Sequence, residues 1–273
     1  MQNVNANTKK QSTQIVEKKS FDIASLAIQE QDLGHDNITT KDITLPRLKL
    51  LGSTSPECNP GGPSYIENAR PLMFFNSVTK KLYDGKEGMF VVPCYYKLVY
   101  KEWNPNQQGA PINEYPGNSD ILQQTTRKGA KDYLENGNYI EANGEHYVLI
   151  LDKDQNYVEK AVVYMKSTQF KKSKQWNAMI MNQKRKVNDT VVDLPRWSQV
   201  YKLRSVLESG KSDRSWSGYM IDHVGDVSQD VYQIGKSFHN DVKKGDMQVA
   251  PDESEGSMET AVQQPVKDEQ APF

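Results

Sequence analysis

Residues Met89–Trp103 read MFVVPCYYKLVYKEW, the longest run in the chain with the period of a strand. Its even positions, Phe90, Val92, Cys94, Tyr96, Leu98 and Tyr100, are all apolar or aromatic. A period of two is what a strand shows when one of its faces lies against a core. The odd positions are Val91, Pro93, Tyr95, Lys97, Val99, Lys101 and Trp103, so the outward face is expected to mix aromatic rings with ammonium groups.

On the C-terminal side of this stretch, a loop rich in Asn, Gln, Gly and Pro covers residues 104–120. NYIEA and HYVLIL then read as a hairpin turning at Asn143-Gly144, a dipeptide that tolerates the positive φ angles of a tight turn. Residues 157–165 read as a strand. Ser167 or Thr168 is placed to cap a helix over residues 169–184, with Trp176, Met179 and Ile180 on one face. Residues 197–207 admit two readings: Asp193 and Pro195 could start a helix, but the alternation of Tyr201, Leu203, Ser205 and Leu207 favours a strand paired with residues 216–221. Residues 227–242 form a helix, with Val231, Ile234, Phe238 and Val242 on one stripe and Gly245 just past its end.

Toward the N-terminus, Phe74, Phe75 and Val78 lead through Lys80-Lys81 to Tyr83-Asp84-Gly85 as a hairpin, preceded by the turn-rich SPECNPGGPSY. Ile43, Leu45, Leu48, Leu50 and Leu51 flank Pro46 and suit an edge strand or an extended lead-in. Residues 1–40 are rich in Asn, Gln, Thr, Lys and Ser, with one helical patch at residues 21–33, and are expected to form a loosely ordered arm. The folded domain is expected at residues 41–244 and a disordered acidic tail at residues 245–273. The whole is a β-rich α+β architecture.

The chain has 273 residues, 36% hydrophobic and 25% charged, with formal net charge -1 and mean hydropathy -0.76. No apolar run approaches the roughly 18–20 residues that span a bilayer. The first residues carry no apolar core of a signal peptide, so a cytoplasmic protein is expected. Cys58 and Cys94 suit neither a disulfide framework nor a zinc site. The near-zero charge is an average over segments. Residues 160–211 hold 12 Lys+Arg against 3 Asp+Glu, or +9, whereas residues 246–273 hold one lysine against seven acids, or -6.

Several catalytic and ligand-binding patterns are incomplete. A phosphate loop needs a glycine at both ends, and Gly210-Lys211-Ser212 has Ser205 where the first belongs, while Gly235-Lys236-Ser237 has Asp230 there. Asp152-Lys153-Asp154 begins like a calcium loop but has Tyr157 at the glycine position and Val163 at the glutamate position, so it reads as a turn. His35, His146, His223 and His239 show no ligand or nucleophile spacing. The expectation is a protein that is not an enzyme and uses no metal or cofactor.

What the sequence does carry is rings interleaved with cations, followed by an acidic segment. Single-stranded nucleic acid offers a charged backbone and flat bases, and a binder that ignores sequence needs Lys or Arg for the first and aromatic rings for the second. Tyr95 and Trp103 are the candidate stacking rings, with Tyr100 a third although its parity places it on the buried face. Lys97, Lys101, Lys171, Lys172, Lys174, Lys184, Arg185, Lys186 and Arg204 are the candidate phosphate contacts. The acidic tail is suited to occupy a basic groove weakly and be displaced by nucleic acid.

The chain ends Glu269-Gln270-Ala271-Pro272-Phe273. An acidic C-terminus finishing in Pro-Phe resembles that of bacterial and bacteriophage single-stranded-DNA-binding proteins, although the bacterial form ends Asp-Ile-Pro-Phe. The resemblance implies that Asp268, Glu269, Pro272 and Phe273 capture replication or recombination partners. Residues 43–225, with LPRLKLLGSTSPEC, VPCYYKLVYKEWNP, STQFKKSKQWN and WSGYMIDHVGDV, are also similar to bacteriophage proteins grouped with such binders. That similarity implies an OB-fold-like antiparallel barrel with flanking helices, and single-stranded DNA binding during phage replication or recombination. The competing expectation is a viral structural or transcription-adaptor protein whose basic face binds protein.

Overall fold

The computed structural model describes residues 34–39, 42–106, 109–210, 215–245 and 247–250. The chain divides into two units, Met1–Thr39 and Thr40–Phe273. The described residues of the first make a turn in which Ile38 N–H donates to the His35 carbonyl at 2.9 Å. The helical patch expected at residues 21–33 and the tail beyond residue 250 lie outside the described residues.

The second unit holds strands β1 (Thr44–Leu45), β2 (Arg47–Leu50), β3 (Phe74–Asn76), β4 (Leu82–Tyr83), β5 (Met89–Trp103), β6 (Asn113–Pro116), β7 (Thr126–Lys128) and β8 (Lys131–Tyr133). They are followed by β9 (Tyr139–Leu151), β10 (Tyr157–Lys166), helix α1 (Phe170–Met181), β11 (Lys184–Val187), β12 (Thr190–Asp193), β13 (Gln199–Ser209), β14 (Ser215–Asp226), helix α2 (Gln229–Lys244) and β15 (Gln248–Val249). Among the described residues, eleven strands make one sheet, in the order β14, β13, β5, β9, β10, β2, β3, β4, with β6 beside β5, β8 beside β9 and β7 beside β8. Two further pairs stand apart, the parallel β1 and β15 and the antiparallel hairpin β11–β12.

The central strands are buried on both sides. Met89, Val91, Val148, Ile150, Ala161 and Val163 face a core closed by Trp176 and Ile180 of α1 and by Tyr201 and Leu203 of β13. Val92, Cys94, Tyr147, Leu149, Leu151 and Val162 face the opposite core, closed by Val231 and Phe238 of α2. Side chains at successive positions of β9 therefore go to different cores, which is why HYVLIL is almost continuously apolar. Each fully buried Leu, Ile or Phe contributes about 1.5–3 kcal/mol. The sheet curls into a half-barrel: Ser205 N–H of β13 donates to the Gly85 carbonyl at 2.7 Å, and the rings of Phe74 and Tyr219 stack at 6.0 Å.

Four expectations are corrected. First, Asn143-Gly144 is no turn, because β9 runs unbroken through it. A Cβ on Gly144 would lie 2.4 Å from the Ser173 hydroxyl, so the glycine serves the close approach of α1. Second, a register shift between Pro93 and Tyr95 interrupts the alternation of β5. Phe90, Val92, Cys94 and Tyr95 all belong to the α2 side, whereas the Tyr96 ring meets His146, which stacks on Trp176 of α1. The even positions thus belong to two faces. Third, β2 is not an edge, since β10 and β3 flank it. Fourth, neither Ser167 nor Thr168 caps α1, whose N-terminus follows a 3-10 turn and carries no side-chain cap. The second helix follows its expected pattern. Ser228 Oγ accepts from Val231 N–H at α2's start, and Gly245 ends it at φ 80°.

Candidate nucleic-acid interface

Beyond the register shift, the odd positions of β5 share a face with alternate residues of β9 and β10. The ladder sets Lys97 opposite Glu145, Lys101 opposite Glu141 and Trp103 opposite Tyr139, and Glu145 opposite Tyr164 and Asn143 opposite Lys166. Cations lie against the rings of this face. The Arg47 guanidinium is 4.4 Å from the centroid of the Tyr164 ring, Lys101 Nζ is 5.9 Å from it, and Lys166 Nζ is 5.3 Å from the Trp103 ring. Such contacts contribute about 0.5–1 kcal/mol when exposed and more when desolvated. Burial pushes the Tyr164 hydroxyl well above its ordinary value, reinforced by the Glu145 charge and opposed by Arg47. Burial also raises the Glu145 carboxyl, and Lys97 and Lys101 oppose the shift.

This face unites Lys97, Lys101 and Trp103, but not the other two candidate rings. Tyr95 is half-buried beneath α2, edge-on to Tyr147 at 5.9 Å and 5.4 Å from the His239 ring. Tyr100 is half-buried and paired with Tyr115 on β6. Lys97 is exposed, as expected. Lys101 is corrected from a phosphate contact to an enclosed ion pair: it is 4% exposed, with its Nζ 3.0 Å from Glu114. Sequence reasoning missed Arg47, Tyr164 and Lys166 because strand pairing, not spacing, brings them here.

The second basic cluster is largely compensated. Lys172 pairs with Glu208 at 3.1 Å, Lys184 with Asp193 at 2.9 Å, Lys186 with Asp189 at 2.7 Å and Arg204 with Asp222 at 2.7 Å. Arg185 forms a two-pronged contact with Asp226 at 2.8 and 2.9 Å, which raises its pKa. Lys160 and Lys166 also approach Asp241 and Glu141 within 4.0 Å. Among the described residues, seven of the twelve cations that gave residues 160–211 their charge of +9 thus have a carboxylate neighbour, four of those carboxylates coming from outside the segment. Exposed pairs of this kind contribute about 0–1 kcal/mol. Among the described residues, Lys171 and Lys174 on α1 have no such partner, and Lys174 Nζ lies 4.8 Å from the Phe170 ring.

Two buried polar groups hold these surfaces in place. Glu102, 3% exposed, accepts hydrogen bonds from Asn113 (2.9 Å), Tyr115 (2.6 Å), Asn138 (2.6 Å) and Asn136 (3.4 Å). It thereby ties β6 and the turn before β9 to β5. Burial alone would raise its pKa, but the four donors outweigh that and bring it down to about 2. His146, fully buried, shares a 2.8 Å hydrogen bond with Ser173 of α1. Desolvation, with Arg196 acting in the same direction, holds it well below the ordinary histidine value and therefore neutral. Asp268, Glu269, Pro272 and Phe273 lie outside the described residues.

These features define a β-rich protein with a curled half-barrel sheet, two covering helices and a face on which cations lie against rings. The chain belongs to the Pam3 phage gp34-like protein family, whose family model matches residues 16–248. The bacteriophage affiliation expected from the sequence therefore holds at the level of the family. No curated protein and no solved structure matches the chain. Among the described residues, no helix is long and apolar enough to cross a membrane.

Proposed function

We propose that the protein binds single-stranded DNA without sequence preference during phage replication or recombination, and recruits partners through its acidic C-terminal segment. The carrying observation is the face of β5, β9 and β10, where Trp103 and Tyr164 are each in contact with a cation. Rings and cations held within one contact distance are the two elements a strand requires, and a base competes for the same ring faces that Arg47 and Lys166 now cover. Lys97, Lys171 and Lys174 supply further phosphate contacts in this reading. The ion-paired Lys172, Lys184, Arg185, Lys186 and Arg204 contribute less, because each must first exchange its carboxylate.

The OB-like assignment belongs to this reading as well. A curled, mainly antiparallel sheet covered by helices supports it, although the eleven strands described exceed the five of that fold. We read the protein as a binder, not an enzyme, acting in the host cytoplasm. The test is fluorescence anisotropy with labelled oligo-dT and the matching duplex over a range of salt. Preference for the single strand, with a log–log salt slope of about -3 to -4 from roughly -0.7 per phosphate, is expected. Equal binding to both, or none, would overturn the reading and favour a viral structural or adaptor protein.

A further inference from the structure

A cavity of about 600 Å³ lies between β6, the 3-10 turn Asp120–Gln124 and the turn that precedes β9, a size within the range of small-molecule sites. It shares no residue with the cation-bearing face, because Glu102, which borders it, alternates with Lys101 and Trp103 along β5. Asn113 and Asn136 line it with amides that already donate to the Glu102 carboxylate at 2.9 and 3.4 Å. Its walls hold themselves in shape: Ser119 Oγ accepts from Ile121 N–H at 3.2 Å, and Asn136 Oδ1 accepts from Asn138 N–H at 2.9 Å. A site fixed before binding loses less freedom when a ligand enters. Gln124 and Glu135 also line the cavity, and among the described residues neither side chain has a hydrogen-bond or ion-pair partner.

We propose that this cavity binds a neutral saccharide of one or two rings. Among the described residues no lysine, arginine or histidine lines it, and its charges are those of Glu102 and Glu135, so a phosphate or carboxylate is repelled. A metal ion is not accommodated either, because N–H and O–H donors already occupy both oxygens of Glu102. Amides and carboxylates in the wall disfavour a wholly apolar ligand, which would strip them of water without replacing its hydrogen bonds. Sugar hydroxyls both donate and accept, and so match the Gln124 amide, the second N–H of Asn136 and the acceptor oxygens of Glu135. Ile121, Leu134 and the Tyr115 ring supply the apolar surface against which the C–H face of a pyranose packs. Strand binding uses the other side of β5, so the two sites are independent.

Saturation-transfer NMR titrations of the full chain with D-glucose, D-galactose, D-mannose and N-acetyl-D-glucosamine test the assignment. Saturable binding of at least one of them, with a Kd in the millimolar range or tighter, is expected. The 6-phosphate of the sugar that binds should bind about tenfold more weakly, because its charge meets Glu102 and Glu135. Gln124→Ala and Glu135→Gln change exposed side chains without partners and so leave the fold intact. Each should weaken the sugar severalfold. No saturable binding of any of these sugars, a 6-phosphate that binds as tightly as its parent, or an affinity unchanged in both variants would each overturn the proposal.

Discussion

Replacing Glu102 with Gln is the most quantitative test of how the β5 face is held. The carboxylate is buried, and its four donors bring its pKa from 4.5 to about 2. By linkage, a depressed folded pKa contributes stability that is complete above the unfolded value and lost as pH falls through the folded one. A displacement of that size corresponds to at most about 3 kcal/mol at pH 7, at roughly 1.4 kcal/mol per unit. The Gln amide offers one acceptor oxygen and turns an NH2 toward donors, so Glu102→Gln should cost about 3 kcal/mol at pH 7. For a domain of this size that lowers Tm by roughly 6–12 °C. Urea denaturation of both proteins at pH 7 and pH 3 should show the gap shrinking by more than half, because below about pH 4.5 the unfolded wild-type chain takes up a proton that the folded carboxylate still refuses, while the Gln variant has nothing to titrate. A gap below about 1 kcal/mol at pH 7, or one independent of pH, would refute the assignment of Glu102 as the ionised anchor of β6.

Gly144→Ala places a methyl against Ser173 and should destabilise by about 1–3 kcal/mol through displacement of α1, read by chemical denaturation. His146 is neutral when folded and protonates near 6.5 when unfolded. Wild-type stability should therefore fall below pH 6.5 by up to roughly 1.4 kcal/mol per unit from this group, and His146→Gln should remove that slope in urea titrations at pH 7.5 and 5.5. Lys171→Gln with Lys174→Gln should flatten the salt slope of oligo-dT binding by about 1.4, against a smaller change for Lys184→Gln with Lys186→Gln, because the second pair is already neutralised by Asp193 and Asp189. Removing residues 251–273 should leave or strengthen strand affinity, whereas Phe273→Ala should spare it and weaken partner capture in pull-downs.

How legible the fold was depended on whether the governing contacts were local. The bounds of β5 and the pairing of β13 with β14 follow from period-two runs. The period of α2 and the glycine at its end follow from one turn of helix and its cap. Gly144 misled because a glycine in a turn and a glycine beneath a packed helix look alike in sequence, and only the position of Ser173 separates them. The even positions of β5 misled because both faces of the strand are buried. Apolar residues then occur at either parity, and nothing in MFVVPCYYKLVYKEW announces the register shift after Pro93.

The candidate site divides along the same line. That rings and cations alternate along β5, that residues 160–211 are rich in cations and that residues 246–273 are acidic were all legible in the amino-acid order, since these are properties of composition and period. Tertiary structure alone decided which charges are available. Asp222 and Asp226 neutralise Arg204 and Arg185 because β14 folds back on β13 and the chain between α1 and β13 returns to its end. Lys101 is enclosed because β6 brings Glu114 over it. Arg47, Tyr164 and Lys166 join the site through pairing across β2, β10 and β9. Coulomb and dispersion forces act over a few ångströms of space, and the distances that govern them are set by the fold and not by separation along the chain.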